Sequence, residues 1–304
     1  MIKEVLEKTD ALEEKIQALL AEEEKTEEIK VLQEEKKKLL DSCKDLEPGD
    51  RVFLARHPRR PHVEDFVSAL FTDFFEQKGD HLYDEDRSIY GGIARFHGRP
   101  VTVLGHRKGR TVEENLSCNF GMTCPEGYRK AKRLMEQAEK FDRPIITFVD
   151  TPGAYPGLEA EQHGQGEAIA KNLAFMSSLH VPVIAVVTGE GSSGGALGIC
   201  VANKILMLEN AIYSVLSPEG FATILWKDSS RAAEAAKVMK LTAKDLKEAN
   251  VADEVVPESL GGAQDDPESL YKALDQILEK ALAYYEGMSR HEIRKDRLSK
   301  FRNI

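Results

Sequence analysis

The chain has 304 residues, 41% of them hydrophobic and 31% charged, with a formal net charge of −10. That length can bury one large core or carry one domain with an annex. The acidic balance argues against broad nucleic-acid binding, which needs a concentrated basic face, and no apolar run approaches the roughly 18 residues of a membrane span.

Acidic residues interrupt Met1 to Leu20 throughout, unlike a signal peptide, so the expected address is the cytoplasm. Cys43, Cys118, Cys124 and Cys200 show no CxxC pair and no matching histidine spacing, which argues against a structural zinc site or a disulfide frame. In chain order, Ile2, Val5, Leu6, Leu12, Ile16, Leu19 and Leu20 fall at helical spacing, and Ile29, Leu32, Leu39 and Leu40 repeat the pattern after a break near Glu22 to Thr26. This predicts a helical hairpin annex over residues 1–46, with Thr26 as N-cap ahead of Glu27 and Glu28. Its functional reading is a dimerisation or docking arm; its plain reading is a helical pair packed on its own core. Leu46-Glu-Pro-Gly-Asp50 ends the annex and leaves 47–304 as the main domain. His57-Pro-Arg-Arg-Pro-His62 reads as a turn, after which Val63, Phe66, Val67, Leu70, Phe71, Phe74 and Phe75 predict one strongly apolar core helix.

Ser88 to Phe96 and Pro100 to His106 predict a β-hairpin turning at His97-Gly98. The basic run Arg107-Lys108-Gly109-Arg110 is either a solvated loop or, beside an anion site, a clamp for carboxylate or phosphate. Pro125 opens a helix whose Tyr128, Ala131, Leu134, Met135, Ala138 and Phe141 face inward. Downstream of the central stretch, short strands are expected at Ile205 to Leu208 and Ile212 to Leu216, a helix capped by Ser217-Pro-Glu219, a capping box from Thr242 and Asp245, and mostly charged helix to Ile304.

The chain is organised around Pro144 to Val201. Pro144-Ile-Ile-Thr-Phe-Val-Asp150 and Pro182-Val-Ile-Ala-Val-Val187 are continuous apolar runs that suit strands buried on both faces. Each empties into a glycine-rich loop, Thr151 to Gly157 and Thr188 to Gly195, and then into a helix, from about Gly166 and from Ala196. Glycine at such a turn permits φ > 0 and close backbone approach, while the free amides of the helix start favour negative charge. The stretch therefore offers two adjacent anion-stabilising corners.

Three chemistries compete for the second set of glycines. Gly189-Glu-Gly191-Ser-Ser-Gly194 spells a dinucleotide-binding GxGxxG with Glu209 beyond the next strand, but it leaves Asp150 to Gly157 unexplained. Gly191-Ser-Ser193-Gly-Gly195 spells the GxSxG of a nucleophile elbow, whose histidine would have to be His291, in a charged terminal helix, or His163. The third reading makes the peptide N–H groups the apparatus, as oxyanion holes of about 3 kcal/mol per donor suited to thioester enolates.

Asn119-Phe-Gly-Met122, Pro125-Glu-Gly-Tyr-Arg-Lys130, Asp150-Thr-Pro-Gly-Ala-Tyr-Pro-Gly157, Gly194-Gly-Ala-Leu197, Tyr213-Ser-Val-Leu-Ser-Pro-Glu-Gly220 and Leu225-Trp-Lys227 together resemble the carboxyltransferase alpha subunits of bacterial acetyl-CoA carboxylases. The resemblance runs over nearly the whole chain, to the Gly261-Gly262-Ala263 turn. It implies an α/β, crotonase-type fold, a superhelix of repeated ββα units behind the N-terminal annex. It implies a biotin-dependent transferase that moves a carboxyl group from carboxybiotin, held on the biotin carboxyl carrier protein, to acetyl-CoA, giving malonyl-CoA for fatty acid synthesis. The ureido nitrogen of biotin would take the methyl proton, and the enolate would attack the released CO₂. The backbone amides of Gly194 and Gly195 would form the catalytic oxyanion hole, and Gly153, Ala154, Gly157, Gly191 and Ser193 would bind biotin. Implied partners are a beta subunit carrying a four-cysteine zinc ribbon and the acetyl-CoA site, the carrier protein and biotin carboxylase, with α₂β₂ stoichiometry and no metal in this chain. Ser117, Cys118, His163 and Ser192 depart from the residues common in that family at those places. The alternatives are a non-catalytic scaffold subunit and a GxSxG thioester hydrolase.

Overall fold

The computed structural model describes residues 2–21 and 26–304. The predicted break at Glu22 to Lys25 and the capping side chain of Thr26 lie outside the described residues. Helices α1 (Ile2–Ala21) and α2 (Thr26–Asp41) pack on each other. Ile2 and Leu6 of α1 share a small core with Cys43 and with Leu54 of α3 (Pro48–Ala55), and Lys36 Nζ lies 3.0 Å from both Glu13 and Asp265. The helical pair thus rests on the main body as well as on itself. Pro48, read above only as a terminator, opens α3, because proline lacks the N–H that the first helical position would leave unpaired.

The apolar run from Val63 is not one helix. Helix α4 (Val63–Leu70) stops where Phe71 turns extended (φ −125°), and β1 (Thr72–Glu76) follows, with Asp73 at φ 53° in a bulge and Phe75 67% exposed. Phe74 and Phe75 matched the helical period by chance; pairing with β2 (Ile89–Phe96) decides their conformation. The hairpin of β2 and β3 (Arg99–His106) turns at His97 (φ 47°) and Gly98 (φ 78°), the double left-handed geometry that matches strand twist. Helix α5 (Val112–Ser117) carries a Thr111/Glu114 capping box, and α6 (Pro125–Lys140) buries Tyr128, Ala131, Leu134, Met135 and Ala138. Phe141 instead sits at the C-cap of α6, 60% exposed, where the helical face it was assigned to has ended.

The rest alternates: β4 (Ile145–Thr151), α7 (Leu158–Gln162), α8 (Gln165–Ser178), β5 (Val183–Ser192), α9 (Ser193–Leu197), β6 (Lys204–Leu208), β7 (Ile212–Ser214). Then come α10 (Pro218–Trp226), α11 (Ala232–Met239), α12 (Ala243–Glu248), β8 (Glu254–Val256), α13 (Pro267–Ala283) and α14 (Arg290–Arg302). Ser217 caps α10 through Gly220 N (3.1 Å), and Thr242 with Asp245 forms the expected capping box on α12.

Among the described residues the strands form one sheet in the order β1-β2-β3-β4-β5-β6-β8, with β7 added to β5. Its first hairpin is antiparallel and β3 to β8 run parallel. Adjacent residues of a strand face opposite sides: Leu104, opposite Gly91, meets the α6 face through Leu134, while Gly105 meets Val63 of α4. Helices therefore cover both faces, and every residue of β4 and β5 is buried. No helix among the described residues is long and apolar enough to cross a membrane.

At the far end of the chain Arg297, fully buried, donates to Met176 O (3.1 Å), Leu179 O (2.6 Å) and Val181 O (2.7 Å), clamping α14 to the α8–β5 connection. It also donates to Asn203 Oδ1, and among the described residues no carboxylate is one of its hydrogen-bond acceptors. Arg297→Ala removes this buried donor from Leu179 O and Val181 O and is expected to lower stability by about 3 kcal/mol or more. Denaturant unfolding checks this; a change under about 1 kcal/mol refutes it.

Candidate active site

Strands β4 and β5 stay in register from Ile145–Val183 to Val149–Val187 and then slip, so that Thr151 pairs with Gly191 and Asp150 alone stands opposite Thr188, Gly189 and Glu190. The Asp150 carboxylate occupies the slip: Oδ1 accepts from Glu190 N (2.9 Å) and from Lys108 Nζ (2.6 Å). A Cβ at Gly189 would lie 2.4 Å from that oxygen, so only glycine fits. The stretch Thr188 to Gly195, expected as a loop, is strand as far as Ser192, because β7 extends the pairing through Gly191–Tyr213 and Ser192–Ser214.

The chain then turns sharply. Ser193 takes a left-handed φ of 58°, costly for a residue with a Cβ, and α9 starts at once. At Gly195 a Cβ would stand 2.5 Å from both Ala154 N and Gly153 C: the first glycine loop lies directly on the second. Gly153 has φ +149°, and Thr151 Oγ1 holds it by accepting from Gly153 N (3.1 Å) and donating to Gly153 O (2.8 Å). Tyr155 N donates to Thr123 O (3.0 Å), and Gln165 Nε2 donates to Thr123 O (2.9 Å) and Tyr155 O (3.0 Å), stapling the loop to the segment before α6.

Of the candidate residues, Gly153, Ala154 and Gly195 are brought into contact, with half-buried Gly194 and exposed Ser193 beside them. Gly191 is instead buried in β5 against the Tyr213 ring, and Gly157 lies over the Tyr155 ring, so both have packing reasons to lack a side chain. The first amides of α9 have no intrahelical acceptor. Leu158, Leu197 and Val215, 76%, 38% and 79% exposed, follow closely on the segments that build it.

The basic run is neither a free loop nor an unoccupied clamp: Arg107 pairs with Glu64, Arg110 with Asp65 and Lys108 with Asp150. Lys108, with His62, Arg107, Arg110, Ser117 and others, lines a cavity of about 850 Å³. Of the residues that depart from the resemblance, Ser117 Oγ donates to Glu114 O (2.8 Å), His163 Nδ1 is 3.0 Å from Glu126, and Cys118 is buried. Ser192 Oγ is buried with no hydrogen-bond partner. His291 is exposed on α14. Burial pushes the Cys124 thiol up to about 12, so it is no nucleophile at neutral pH.

Sequence reasoning missed the Lys108–Asp150 pair and the turn that covers it, Asn119, Phe120 and Gly121, with φ of 50°, 55° and 78° in succession. The legible signals were an acid ending a buried strand and a glycine after aromatic Phe120. It also missed His106, which ends β3 wholly buried. Burial lowers its imidazole to about 4, only partly offset by the Asp150 carboxylate.

These features define a class first. The mixed α/β fold is shared with transcarboxylase 12S with hydrolysed methylmalonyl-coenzyme A bound (TM-score 0.60, 20% identity, 74% of this chain, 42% of that one). It is also shared with a Pseudomonas malonate decarboxylase hetero-tetramer in complex with coenzyme A (TM-score 0.58, 18% identity, 69% and 84%). The chain belongs to the acetyl co-enzyme A carboxylase carboxyltransferase-like family, matched over residues 2–304. It is 53% identical over 278 residues to the acetyl-coenzyme A carboxylase carboxyl transferase subunit alpha of Bacillus subtilis, covering 91% of this chain and 86% of the relative. It is 54% identical over 265 residues to that of Clostridium acetobutylicum (87% and 97%).

His106 carries a pH prediction. Folded, the imidazole stays neutral down to about 4; unfolded, it protonates from its ordinary value of 6.5. The unfolded chain therefore binds more protons between those values, and this contribution, up to about 3 kcal/mol, is present above pH 6.5 and lost as pH falls towards 4. The unfolding free energy of His106→Leu should decline less steeply than wild type across that interval. Equal slopes refute the assignment.

Proposed function

We propose that this chain is the alpha half of the carboxyltransferase of an acetyl-CoA carboxylase, moving a carboxyl group from carboxybiotin on a carrier protein to acetyl-CoA to form malonyl-CoA. The observation that carries it is the Gly153–Ala154 peptide pressed on Gly195. When delivered, carboxybiotin supplies a labile carboxylate, whose departure leaves negative charge on the ureido oxygen.

The chain's own contribution is a rigid set of donors. The amides of Gly194 and Gly195, at the start of a helix, receive that charge in this reading, each contributing about 3 kcal/mol in a site closed to water. Gly153 and Ala154 form the facing wall, and Ser193 holds the elbow. Because φ 58° is supplied by an exposed serine, Ser193 also supports the competing thioester-hydrolase reading, and the test must separate the two.

Closing the site to water takes a partner. Exposed Leu158, Leu197 and Val215, close in sequence to the segments that build the corner, support a beta subunit that covers it and brings the acetyl-CoA donors. The crotonase-type ββα description, the zinc ribbon on that subunit, the carrier protein, biotin carboxylase and an α₂β₂ assembly belong to the same proposal.

In the assembled enzyme Gly195→Ala should lower kcat by about 100-fold, since its methyl displaces the Gly153–Ala154 peptide by the order of 1 Å. Gly194→Ala, with only Ile169 nearby at 3.7 Å, should be milder. Ser193→Ala should keep activity within several-fold; a dead but folded Ser193→Ala would hand the site to the nucleophile elbow. The purified chain without its beta subunit should form no malonyl-CoA from carboxybiotin and acetyl-CoA, and turnover at the complex's rate would overturn the two-subunit reading.

A further inference from the structure

The glycine corner depends on a slip between two parallel strands, and a slip leaves peptide groups without ladder partners. The groups at this slip are satisfied from outside. Arg60 Nε donates to Thr188 O, and Asp150 Oδ1 accepts from Glu190 N at 2.9 Å. Asp150 is joined covalently to Thr151 and the first glycine loop, and by this hydrogen bond to the strand that feeds Ser193 and Gly195. One carboxylate therefore fixes both halves of the corner relative to each other.

That carboxylate is itself held. Its side chain is 10% exposed, and its partner Lys108 Nζ, at 2.6 Å, belongs to a side chain 20% exposed. The lysine stem is covered by the left-handed turn of Asn119, Phe120 and Gly121: a Cβ at Gly121 would stand 3.0 Å from Lys108 Cγ and 3.2 Å from Asp150 O. Two non-glycine residues in the left-handed region are kept only where the surroundings over-determine them, and here the strained turn closes over the ion pair. The basic run, the Asn119-Phe-Gly segment and the acid at the end of β4 thus meet at one point behind the corner.

We propose that Lys108 and Asp150 are positioning residues for the glycine corner: Asp150 pins Glu190 N across the strand slip, and Lys108 holds the carboxylate in place without touching substrate. The inference rests on the carboxyltransferase reading for its kinetic consequences but not for its geometry. The competing role for Lys108 is that of a cation facing the 850 Å³ cavity it lines, binding an anionic group there.

A double-mutant cycle in the assembled enzyme separates these. Asp150→Asn keeps an oxygen acceptor for Glu190 N and should cost less than about 10-fold in kcat, whereas Asp150→Ala removes it and should cost about 100-fold. Lys108→Met strands the carboxylate and should also cost about 100-fold in kcat with the KM for acetyl-CoA and for carboxybiotin unchanged. Lys108→Met/Asp150→Asn should recover at least 10-fold over Lys108→Met alone. A double variant as poor as Lys108→Met, or a Lys108→Met whose loss falls on KM for a substrate, overturns the proposal and assigns Lys108 to binding. Amide hydrogen exchange of the segment 183–197 in the same complexes gives a readout independent of activity. Exchange should quicken in Lys108→Met and Asp150→Ala and stay near wild type in Asp150→Asn; unchanged exchange in all three overturns the positioning role. If the wild-type complex transfers no carboxyl group, the functional reading fails while the exchange experiment still decides this one.

Discussion

The approach of the Gly153–Ala154 peptide to Gly195 is the contact on which the rest of this structure depends. A single methyl at Gly195 would stand 2.5 Å from two backbone atoms, so the corner exists only while that position has no side chain and both loops are held still. Each supporting element serves that condition. The all-buried strands β4 and β5 supply a rigid base, the slip at Asp150 re-aims the end of β5, and the Thr123 and Gln165 hydrogen bonds fasten the opposing loop. In the proposed role, donors preset in this way would need no rearrangement when charge develops in front of them, which is the condition for electrostatic catalysis.

Around this base the carboxyl ends of the parallel strands are tied by paired charges. Arg56 bridges Glu190 (2.6 Å) and Glu219 (2.8 Å), joining α3 to β5 and α10, while Arg60 and Glu258, both almost wholly buried, join the turn before α4 to the segment after β8. Arg129 holds Asp80 (2.7 Å) and Glu126 (2.6 Å) below the first loop. Buried ion pairs of this kind add little net stability over well-packed apolar groups, but breaking one is costly, so they fix which segments meet.

The places where local pattern and structure part are informative. Phe74 and Phe75 continue a helical face in the sequence, yet backbone pairing with β2 takes them into a strand, since an edge strand gains more from ladder hydrogen bonds than from a fourth helical turn. Phe141 fits the α6 period but falls one residue past its end. Gly191 and Gly157 sit in the right motifs and are spent on aromatic neighbours, Tyr213 and Tyr155. Lys108 reads as one of three equivalent surface cations, and only the fold sets it under Gly121 against Asp150.

The sequence by itself determined what is local or repetitive. Apolar runs marked β4 and β5, His97-Gly98 marked the hairpin turn, Ser217 and Thr242 marked helix starts, and the joint spelling of the motifs marked the family, because propensities, caps and turn conformations depend on residues within a few positions of one another. Tertiary structure alone decided which glycines meet, where the strands slip, and that Lys108 pairs with Asp150 while Arg107 and Arg110 go elsewhere. Those outcomes join groups some forty residues apart through close contacts of a few ångströms, and such contacts are fixed by the packing of whole strands and helices, which no short window of sequence encodes.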